Sequence, residues 1–386
     1  MANTLKFGNG EWYGKKDTIL AYNDENSNYK PLPFNFSRAS KATVINKDGL
    51  IEEVGSGQPR IDYKDDSEGA LLLEPSRTNF LTYSEDFSNN SYTKTNVTVT
   101  SGFLAPNGST NATKLVSSAV NGQLLFGGGS GNTNTKSVSV FAKANTSTSK
   151  FKIIEQYYSG HQTLFDLNLG VVEFNNSVGS KIEDYGNGWY KCTHIQSYTS
   201  GQTNATFAFR TNTPESLFIW GAQLEVGSYP TSYIPTSGSA VTRLVDDMPN
   251  HLNINPLNIG NSYTLFLNAD LNKVVNNKVF CEIENSASND VFSIRINNGG
   301  KVRVYNALDS AYPTSSLESN TNKWAIRIDG NSYKIFGANS SRSGTLATAR
   351  NIGEIKFYGI FADLKINNFN IYNTALSDTE CQALVN

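Results

Sequence analysis

The sequence predicts an all-β protein built from antiparallel β-sandwiches, and its composition is the first reason. Charged residues make up 17% of the 386 residues, below the roughly 25% that is usual in soluble domains. Asn, Ser, Thr and Gly take their place, and they favour turns over helices because Asn and Ser side chains compete for backbone hydrogen bonds. Hydrophobic residues still reach 38%, which is enough for packed cores and argues against a disordered chain.

Short runs of alternating apolar and polar residues are the second reason. Phe207 and Phe209 share one face of such a run, and Trp324, Ile326 and Ile328 share a face of another. This two-residue period with one apolar face is typical of an antiparallel strand that is covered on one side. Asn-Gly and Asp-Gly pairs lie between the runs, and short strands separated by turns indicate a sandwich.

One helix is predicted near the C-terminus. Ser377 and Glu380 have the spacing of a capping box, with Leu376 and Cys381 at the positions of a hydrophobic staple. Shortly before this helix the strand pattern changes phase at Asn367–Asn368. A change of phase within a strand predicts a β-bulge or a tight turn there.

Charge and cysteine content exclude several classes of partner. The formal net charge is −2, and without a basic stripe no nucleic-acid partner is predicted. The 3 cysteines are widely spaced and form neither a disulfide framework nor a zinc pattern. No apolar run approaches the roughly 18 residues of a membrane span, and no secretory signal is visible. We therefore predict no metal, no cofactor, no membrane insertion and synthesis in a cytoplasm.

Catalytic motifs are also missing from the sequence. The histidines are His161, His194 and His251, and none lies in a recognised nucleophile motif. The sequence therefore predicts that the chain is not an enzyme. A glycosidase with paired carboxylates stays open as an alternative, because two carboxylates need no local motif.

Two clusters combine aromatic rings with polar side chains, as sugar-binding sites do when a ring stacks on a pyranose. The candidate glycan-binding residues of the first cluster, which Gln156 adjoins, are Tyr157, Tyr158, His161 and Gln162. Those of the second cluster are Tyr305, Asn306, Asp309 and Tyr312. The ordinary alternative for each cluster is a set of partly buried strand aromatics.

The chain is divided into three parts on these patterns. Residues 1–78 form a β-rich N-terminal anchoring segment, residues 79–245 a first sandwich and residues 246–386 a second. Asp246–Asn250 is interpreted as the linker between the sandwiches, because it is short, polar and contains a proline.

Three stretches in this order resemble a module of phage tail and fibre proteins. They are Phe36–Tyr63, Leu71–Asn79 and Ile219–Arg243, the last containing Ile-Trp-Gly-Ala-Gln-Leu-Glu and Tyr-Pro-Thr-Ser-Tyr-Ile-Pro-Thr. The resemblance implies a jelly roll similar to carbohydrate-binding modules over roughly residues 34–245. Phe369–Glu380 resembles the last strand and closing helix of laminin-G-like, concanavalin A-type sandwiches, which implies that fold for the C-terminal part.

These resemblances imply a phage virion protein that is a tail or head fibre or appendage subunit. Such a subunit assembles with other tail, baseplate or capsid proteins as a homotrimer and attaches to glycans of the host surface. Two alternatives stay open. One is a receptor-binding lectin or prophage-derived adhesin with sugar affinity of its own, and the other is a polysaccharide depolymerase.

The few charged residues within the three stretches lead to one further hypothesis. We predict that some of them pair and hold the N-terminal segment against the strand that closes the sandwich, because the arginine fork meets a carboxylate in two hydrogen bonds. The residues concerned are Arg38, Arg60, Glu74, Arg77, Glu225 and Arg243.

Overall fold

The computed structural model describes most of the chain. The described residues are 4–23, 27–130, 135–156, 160–198, 204–211, 214–248, 252–253, 259–274, 278–284, 291–296, 302–306, 316–317, 322–338, 340–345, 352, 354–357 and 362–386. In chain order, the strands up to residue 79 are β1 (Thr4–Gly8), β2 (Tyr13–Lys15), β3 (Thr18–Asn23), β4 (Asn28–Asn35), β5 (Ala42–Ile45), β6 (Ile51–Val54), β7 (Arg60–Asp62), β8 (Ala70–Leu73) and β9 (Arg77–Asn79).

The strands that follow up to residue 243 are β10 (Thr93–Thr95), β11 (Val97–Phe103), β12 (Ala112–Ser117), β13 (Gln123–Ser130), β14 (Lys136–Ala144), β15 (Lys150–Glu155), β16 (Gln162–Asp166), β17 (Val171–Asn175), β18 (Gly179–Asp184), β19 (Trp189–Gln196), β20 (Asn204–Arg210), β21 (Ser216–Val226) and β22 (Val241–Arg243). The remaining elements are β23 (Leu252–Asn253), β24 (Ser262–Val274), β25 (Lys278–Glu284), β26 (Val291–Ile296), β27 (Val302–Asn306), β28 (Ser316–Leu317), β29 (Lys323–Asp329), β30 (Ser332–Gly337), β31 (Ser340–Thr345), β32 (Glu354–Phe357), β33 (Ala362–Tyr372) and the helix α1 (Asp378–Val385).

The chain forms two compact units. The first unit comprises Met1–Lys41, Val54–Ser76 and Leu244–Asn386, and the second comprises Ala42–Glu53 and Arg77–Arg243. Both consist of antiparallel sheets, so the predicted all-β class and its sandwiches are confirmed. The division of the chain into three sequential parts stays a prediction.

The second unit is a sandwich of two six-stranded sheets within the described residues. One sheet has the order β10-β13-β20-β15-β16-β17, and the other has the order β11-β12-β21-β14-β19-β18. Phe207 and Phe209 of the first sheet and Val138 and Val140 of the second lie in one buried cluster. The core therefore fills the space between the two sheets, as the alternating pattern of β20 predicts.

The first unit contains a larger sheet in which strands from both ends of the chain pair. Its order is β2-β3-β1-β33-β24-β29-β30-β31, with β4, β7 and β8 attached beside it, and a six-stranded sheet accompanies it among the described strands. Phe7 of β1 lies opposite Phe369 of β33, and β8 pairs with β33 as well. N-terminal residues thus form part of the core that the C-terminal strands build.

The predicted irregularity at Asn367–Asn368 is confirmed as a bulge in β33. Asn268 pairs with Asn368, but the next residue, Ala269, pairs with Ile366, so Asn367 has no opposite residue in β24. Gly8 passes close to this bulge with a φ of 102°. A Cβ atom on Gly8 would lie 1.9 Å from the carbonyl oxygen of Asn367, so a larger residue does not fit there.

The predicted C-terminal helix is confirmed together with its cap. The Ser377 side chain accepts a hydrogen bond from the Glu380 amide, and the Glu380 side chain accepts one from the Ser377 amide. Leu376 and Cys381 belong to the same apolar cluster, as a hydrophobic staple requires. Among the described residues, no helix is long and apolar enough to cross a bilayer.

One predicted charge pair, Arg60 with Glu74, is confirmed in the first unit, where four buried residues form one network. The predicted attachment to the strand that closes the sandwich stays a prediction. Arg60 forms ion pairs with Glu74 at 2.7 Å and with Asp246. Arg38 Nη1 lies 2.9 Å from Asp246 Oδ1, and the backbone amide of Glu74 donates to Asp246 Oδ2 at 2.9 Å. Asp246 therefore uses both carboxylate oxygens to hold three separate segments of the chain.

The interpretation of Asp246–Asn250 as a linker is wrong for the part of it that the structure describes. Asp246 is 0% exposed and Met248 is buried in the apolar core. Asp247 forms a backbone bridge with Ser37. A short polar sequence with a proline is typical of linkers, but here the Asp246 carboxylate is buried and forms ion pairs with Arg38 and Arg60.

In the second unit the motif residues near β9 and β21 are also structural. The Asn79 side chain is buried and makes four hydrogen bonds, to the carbonyls of Ala222 and Ile234 and from the amides of Leu81 and Leu224. All four partners are backbone groups. The single carboxamide therefore connects the segment after β9 with β21 and with the loop that contains Ile234.

The carboxylate of Glu225 has a similar role. It accepts hydrogen bonds from Gln223 Nε2 at 2.7 Å and from the amide of Thr231 at 2.9 Å. Burial raises the pKa of Glu225. Arg77 contributes differently, because its guanidinium group lies over the ring of Tyr229 at 5.2 Å.

Candidate functional site

The outward face of the sheet that contains β15 and β20 is the strongest candidate for a functional site. Phe151 and Ile153 of β15 point into the core. Because successive side chains of a strand alternate between faces, Lys152 and Ile154 point away from the core. The register of the sheet places Arg210 of β20 directly opposite Lys152, so these three side chains share the outward face.

Hydrogen bonds fix the polar side chains of this face. Arg210 donates from Nε and Nη2 to the same oxygen, Oε1 of Gln123, at 2.9 and 2.5 Å. Gln156 Nε2 donates to that oxygen as well, at 3.3 Å. The guanidinium group is thus held at a defined position by a neutral partner, and the remaining N–H groups stay available.

Apolar residues form the floor of this face. Ala208 is 0% exposed and Ile154 is 7% exposed, although neither belongs to the core between the sheets. Leu125 and Leu164 flank them and are half-buried. The face therefore has an apolar floor, of which Leu125 and Leu164 are the accessible part, and a rim of polar side chains.

The two cations on the rim have no acidic partner. The pKa of Lys152 is lowered by partial burial and by the charge of Arg210, and partial burial lowers the pKa of Arg210. Among the described residues no carboxylate forms an ion pair with either side chain. The next lysine along the strand differs, because Lys150 pairs with Asp166 at 3.1 Å and Glu173 at 2.9 Å.

The structure places one of the predicted glycan-binding residues on this face. Gln162 is the first residue of β16 and lies opposite Ile154. His161 precedes it, and its carbonyl accepts a hydrogen bond from the amide of Glu155 at 2.8 Å. Of the other predicted residues, Tyr305 and Asn306 lie in β27 without described side chains, and Tyr157, Tyr158, Asp309 and Tyr312 lie outside the described residues. Sugar binding by these eight residues stays a prediction.

Sequence reasoning missed Gln123, Lys152 and Arg210. They come from three strands that are far apart in sequence, and only the register of the sheet brings them together. The alternation in Phe151-Lys152-Ile153 and in Phe209-Arg210 was the available signal, because it assigns both cations to the outward face of their strands.

Two of the surface cavities in the first unit are lined by described residues. One has a volume of about 440 Å³ and includes Arg327, Tyr333 and Lys334, and the other has about 520 Å³ and includes Lys334 and Asp378. Here both cations have an acidic partner, because Arg327 and Lys334 each lie 2.6 Å from a carboxylate oxygen of Asp378. Asp329 also lines the first cavity, so cations and acids are mixed there.

A buried histidine, His194 of β19, lies inside the sandwich of the second unit. The ring of His194 is held by Thr163 Oγ1, 3.0 Å from Nδ1, and Nε2 has no hydrogen-bond partner among the described residues. Burial and the charge of His161 lower the pKa of His194 from 6.5 to about 3. The ring is therefore neutral in the folded protein at every pH near neutrality.

This depressed pKa predicts a loss of stability in mild acid. Between pH 7 and pH 5 the unfolded chain protonates His194 and the folded chain does not, so the free energy of unfolding falls by about 2 kcal/mol from this group. Urea unfolding at both pH values should show this contribution in the native chain, and His194→Asn should remove it. An equal pH dependence in the two proteins would contradict the assignment.

Within the described part of the chain, no group of three or more His, Cys, Asp or Glu side chains is arranged to hold a metal ion. Cys192 and Cys381 are free, buried thiols. Burial raises the pKa of both thiols, to about 11 for Cys381. Neither thiol is therefore a reactive nucleophile at neutral pH.

Comparison with known proteins finds similarity in solved structures. No family model and no curated protein matches the sequence. One similar structure is the CBM40 module of the Ruminococcus gnavus IT-sialidase bound to α2,6-sialyllactose, with 13% identity and a TM-score of 0.28, covering 34% of this chain and 87% of the module. Another is a tail fibre protein of an E. coli phage, with 12% identity and a TM-score of 0.22, covering 79% of this chain and 41% of the fibre protein.

A third similar structure is the sialidase of Trypanosoma rangeli in complex with the inhibitor DANA, with 10% identity and a TM-score of 0.27, covering 95% of this chain and 66% of the enzyme. The similar structures thus include a carbohydrate-binding module and a phage tail fibre, the two classes that the sequence motifs resemble. All three TM-scores lie below 0.5, so none of these similarities carries an argument about function.

The prediction that the chain is not an enzyme is wrong, because an enzyme is among the structures that it resembles. The weak similarity does not assign sialidase activity to this chain. A hydrolytic site made of dispersed carboxylates leaves no local motif, so the absence of motifs was insufficient ground for the prediction.

Proposed function

We propose that the outward face of the second unit binds glycans and that the chain attaches a phage particle to the host surface through it. The observation that carries the proposal is the outward face around β15, where the half-buried Leu125 and Leu164 lie beside the amides of Gln123, Gln156 and Gln162. Sugars present apolar ring faces beside hydroxyl groups, so an apolar floor with convergent amides matches their chemistry.

The remaining structure suits a fibre or appendage subunit of a virion. The motif residues Arg38, Arg60, Asn79, Glu225 and Asp246 are buried in networks within their units, and these networks provide rigidity and leave the outward face free for a ligand. In this proposal the sugar affinity belongs to the sandwich itself, as in the lectin alternative. Homotrimer formation and contacts with other virion proteins are part of the proposal, and light scattering of the full chain tests the trimer.

The proposal predicts that Gln162→Ala weakens glycan binding. The Gln162 side chain lies half-exposed on the face, so its loss removes hydrogen bonds to hydroxyl groups with little effect on folding. We expect about 3–10-fold weaker binding. The measurement is a glycan array of the full chain, followed by titration of the strongest glycan against both proteins.

Thr98→Ala is the matched control, because Thr98 is an exposed strand residue on the other sheet. It should bind the glycan as the native chain does. The proposal fails if the array retains no glycan or if Gln162→Ala and Thr98→Ala bind equally. Release of reducing sugar from the bound glycan would instead favour the depolymerase alternative.

A further inference from the structure

Two like charges face each other on the proposed binding face. Lys152 and Arg210 occupy directly opposite positions of β15 and β20, where Cβ atoms are roughly 4.5–5.5 Å apart. Like charges at such positions destabilise a sheet. Partial burial increases this cost, because each cation has lost part of its hydration.

No acid among the described residues of the second unit offsets this repulsion. Lys152 makes no hydrogen bond or ion pair with any described residue, and Arg210 donates to the neutral amide of Gln123. The segments of this unit outside the described residues are 131–134, 157–159, 199–203 and 212–213, and their sequences contain no Asp or Glu. Other cations of the unit do have partners: Lys181 lies 2.8 Å from Glu183, and Lys143 donates to the carbonyl of Asn187 at 2.7 Å.

The free donors point to a particular ligand group. Gln123 occupies Nε and Nη2 of Arg210, which leaves the N–H groups of Nη1, and the Lys152 ammonium keeps its three donors. A carboxylate accepts several such bonds at once, and charge-assisted bonds are about twice as strong as neutral ones. The half-buried side chains of Leu125 and Leu164 on the same face offer apolar surface for a ring face beside the charged group.

We propose that this face selects acidic glycans, with Lys152 and Arg210 as the pair that binds the sugar carboxylate. The proposal rests on the glycan-binding function proposed above and names its substrate class. Charge repulsion in the empty site is the cost of that selectivity, and a bound carboxylate removes it. Conflicts of this kind between stability and function are common at binding sites.

The test compares matched acidic and neutral sugars. Calorimetric titration of the full chain uses tri-galacturonic acid against its methyl ester, and sialyllactose against lactose. In at least one pair the acid should bind more than about tenfold tighter than its neutral counterpart. Lys152→Met and Arg210→Gln should each lower the affinity for that acid about tenfold, and Lys181→Met, an exposed cation on the other sheet, should leave it unchanged.

A second measurement needs no ligand. Lys152→Met keeps the apolar stem and removes one of the two repelling charges, so the melting temperature of the empty protein should rise by about 1–3 °C. If Lys152 had a purely structural role, the substitution would lower the melting temperature. An unchanged or lower melting temperature together with unchanged binding of the acid would overturn the proposal.

Two further results separate this inference from the proposed function. If glycans bind but the acid and neutral members of both pairs bind equally, acid selectivity is overturned and glycan binding stands. If inorganic sulfate binds as tightly as the acidic sugars, the pair is a simple anion site and the proposal is overturned. If the array and both titrations detect no sugar, the proposed function and the inference fall together.

Discussion

Replacing Asp246 by alanine is expected to lower the free energy of unfolding of the first unit by about 3–5 kcal/mol. Asp246 is 0% exposed and its two carboxylate oxygens bind Arg38, Arg60 and the backbone amide of Glu74. In the variant Arg60 keeps its ion pair with Glu74 but loses Asp246, and Arg38 loses the carboxylate that lies 2.9 Å from its Nη1. An unpaired buried charge is far more costly than the loss of an exposed ion pair.

Calorimetric and urea unfolding of the full chain measure this effect. Asp378→Ala is the matched control, because it also removes a carboxylate that bridges two cations, Arg327 and Lys334, but its side chain is 56% exposed. We expect a change below about 1 kcal/mol for this control. Equal losses in Asp246→Ala and Asp378→Ala would contradict the central role of the buried network.

Phe7→Ala is expected to have an effect of similar size, about 3–5 kcal/mol. Phe7 is 1% exposed, and its ring lies 4.8 Å from that of Phe34 and 6.1 Å from that of Phe369. Removing the ring leaves a cavity between the N-terminal strands and β33. The same change also weakens the pairing of β1 with β33 indirectly, because the rings cover that pair of strands.

The control for this prediction is Phe80→Ala, since Phe80 is 40% exposed. Its effect should stay near about 0.5 kcal/mol. If Phe7→Ala left unfolding unchanged, β1 would not belong to the stable core of the first unit.

Local sequence signals predicted the elements that depend on neighbouring residues. The capping box at Ser377 and Glu380 and the bulge at Asn367 are examples, and both occur as predicted. Trp189, Trp220 and Trp324 are buried, as their positions in apolar runs indicate. In each case the determining interactions span a few residues, so periodicity and capping rules contain the information.

The candidate site was only partly accessible from sequence. Gln162 was identified because it lies beside aromatic residues in the chain, and it does occupy the proposed face. Gln123, Lys152 and Arg210 carry the chemistry of that face but lie in separate strands. Their juxtaposition depends on strand order in the sheet, which local patterns do not contain.

By itself the sequence determined the all-β class, the strand periodicity and the closing helix, because these follow from short-range sterics, hydrogen bonding and amphipathic patterning. Only the tertiary structure decided that Asp246 is the centre of a buried network, that β1 pairs with β33 and that Lys152 and Arg210 face each other across β15 and β20. These features arise from contacts between distant segments. Their free energies depend on burial and charge pairing, and neither quantity exists until the chain is folded.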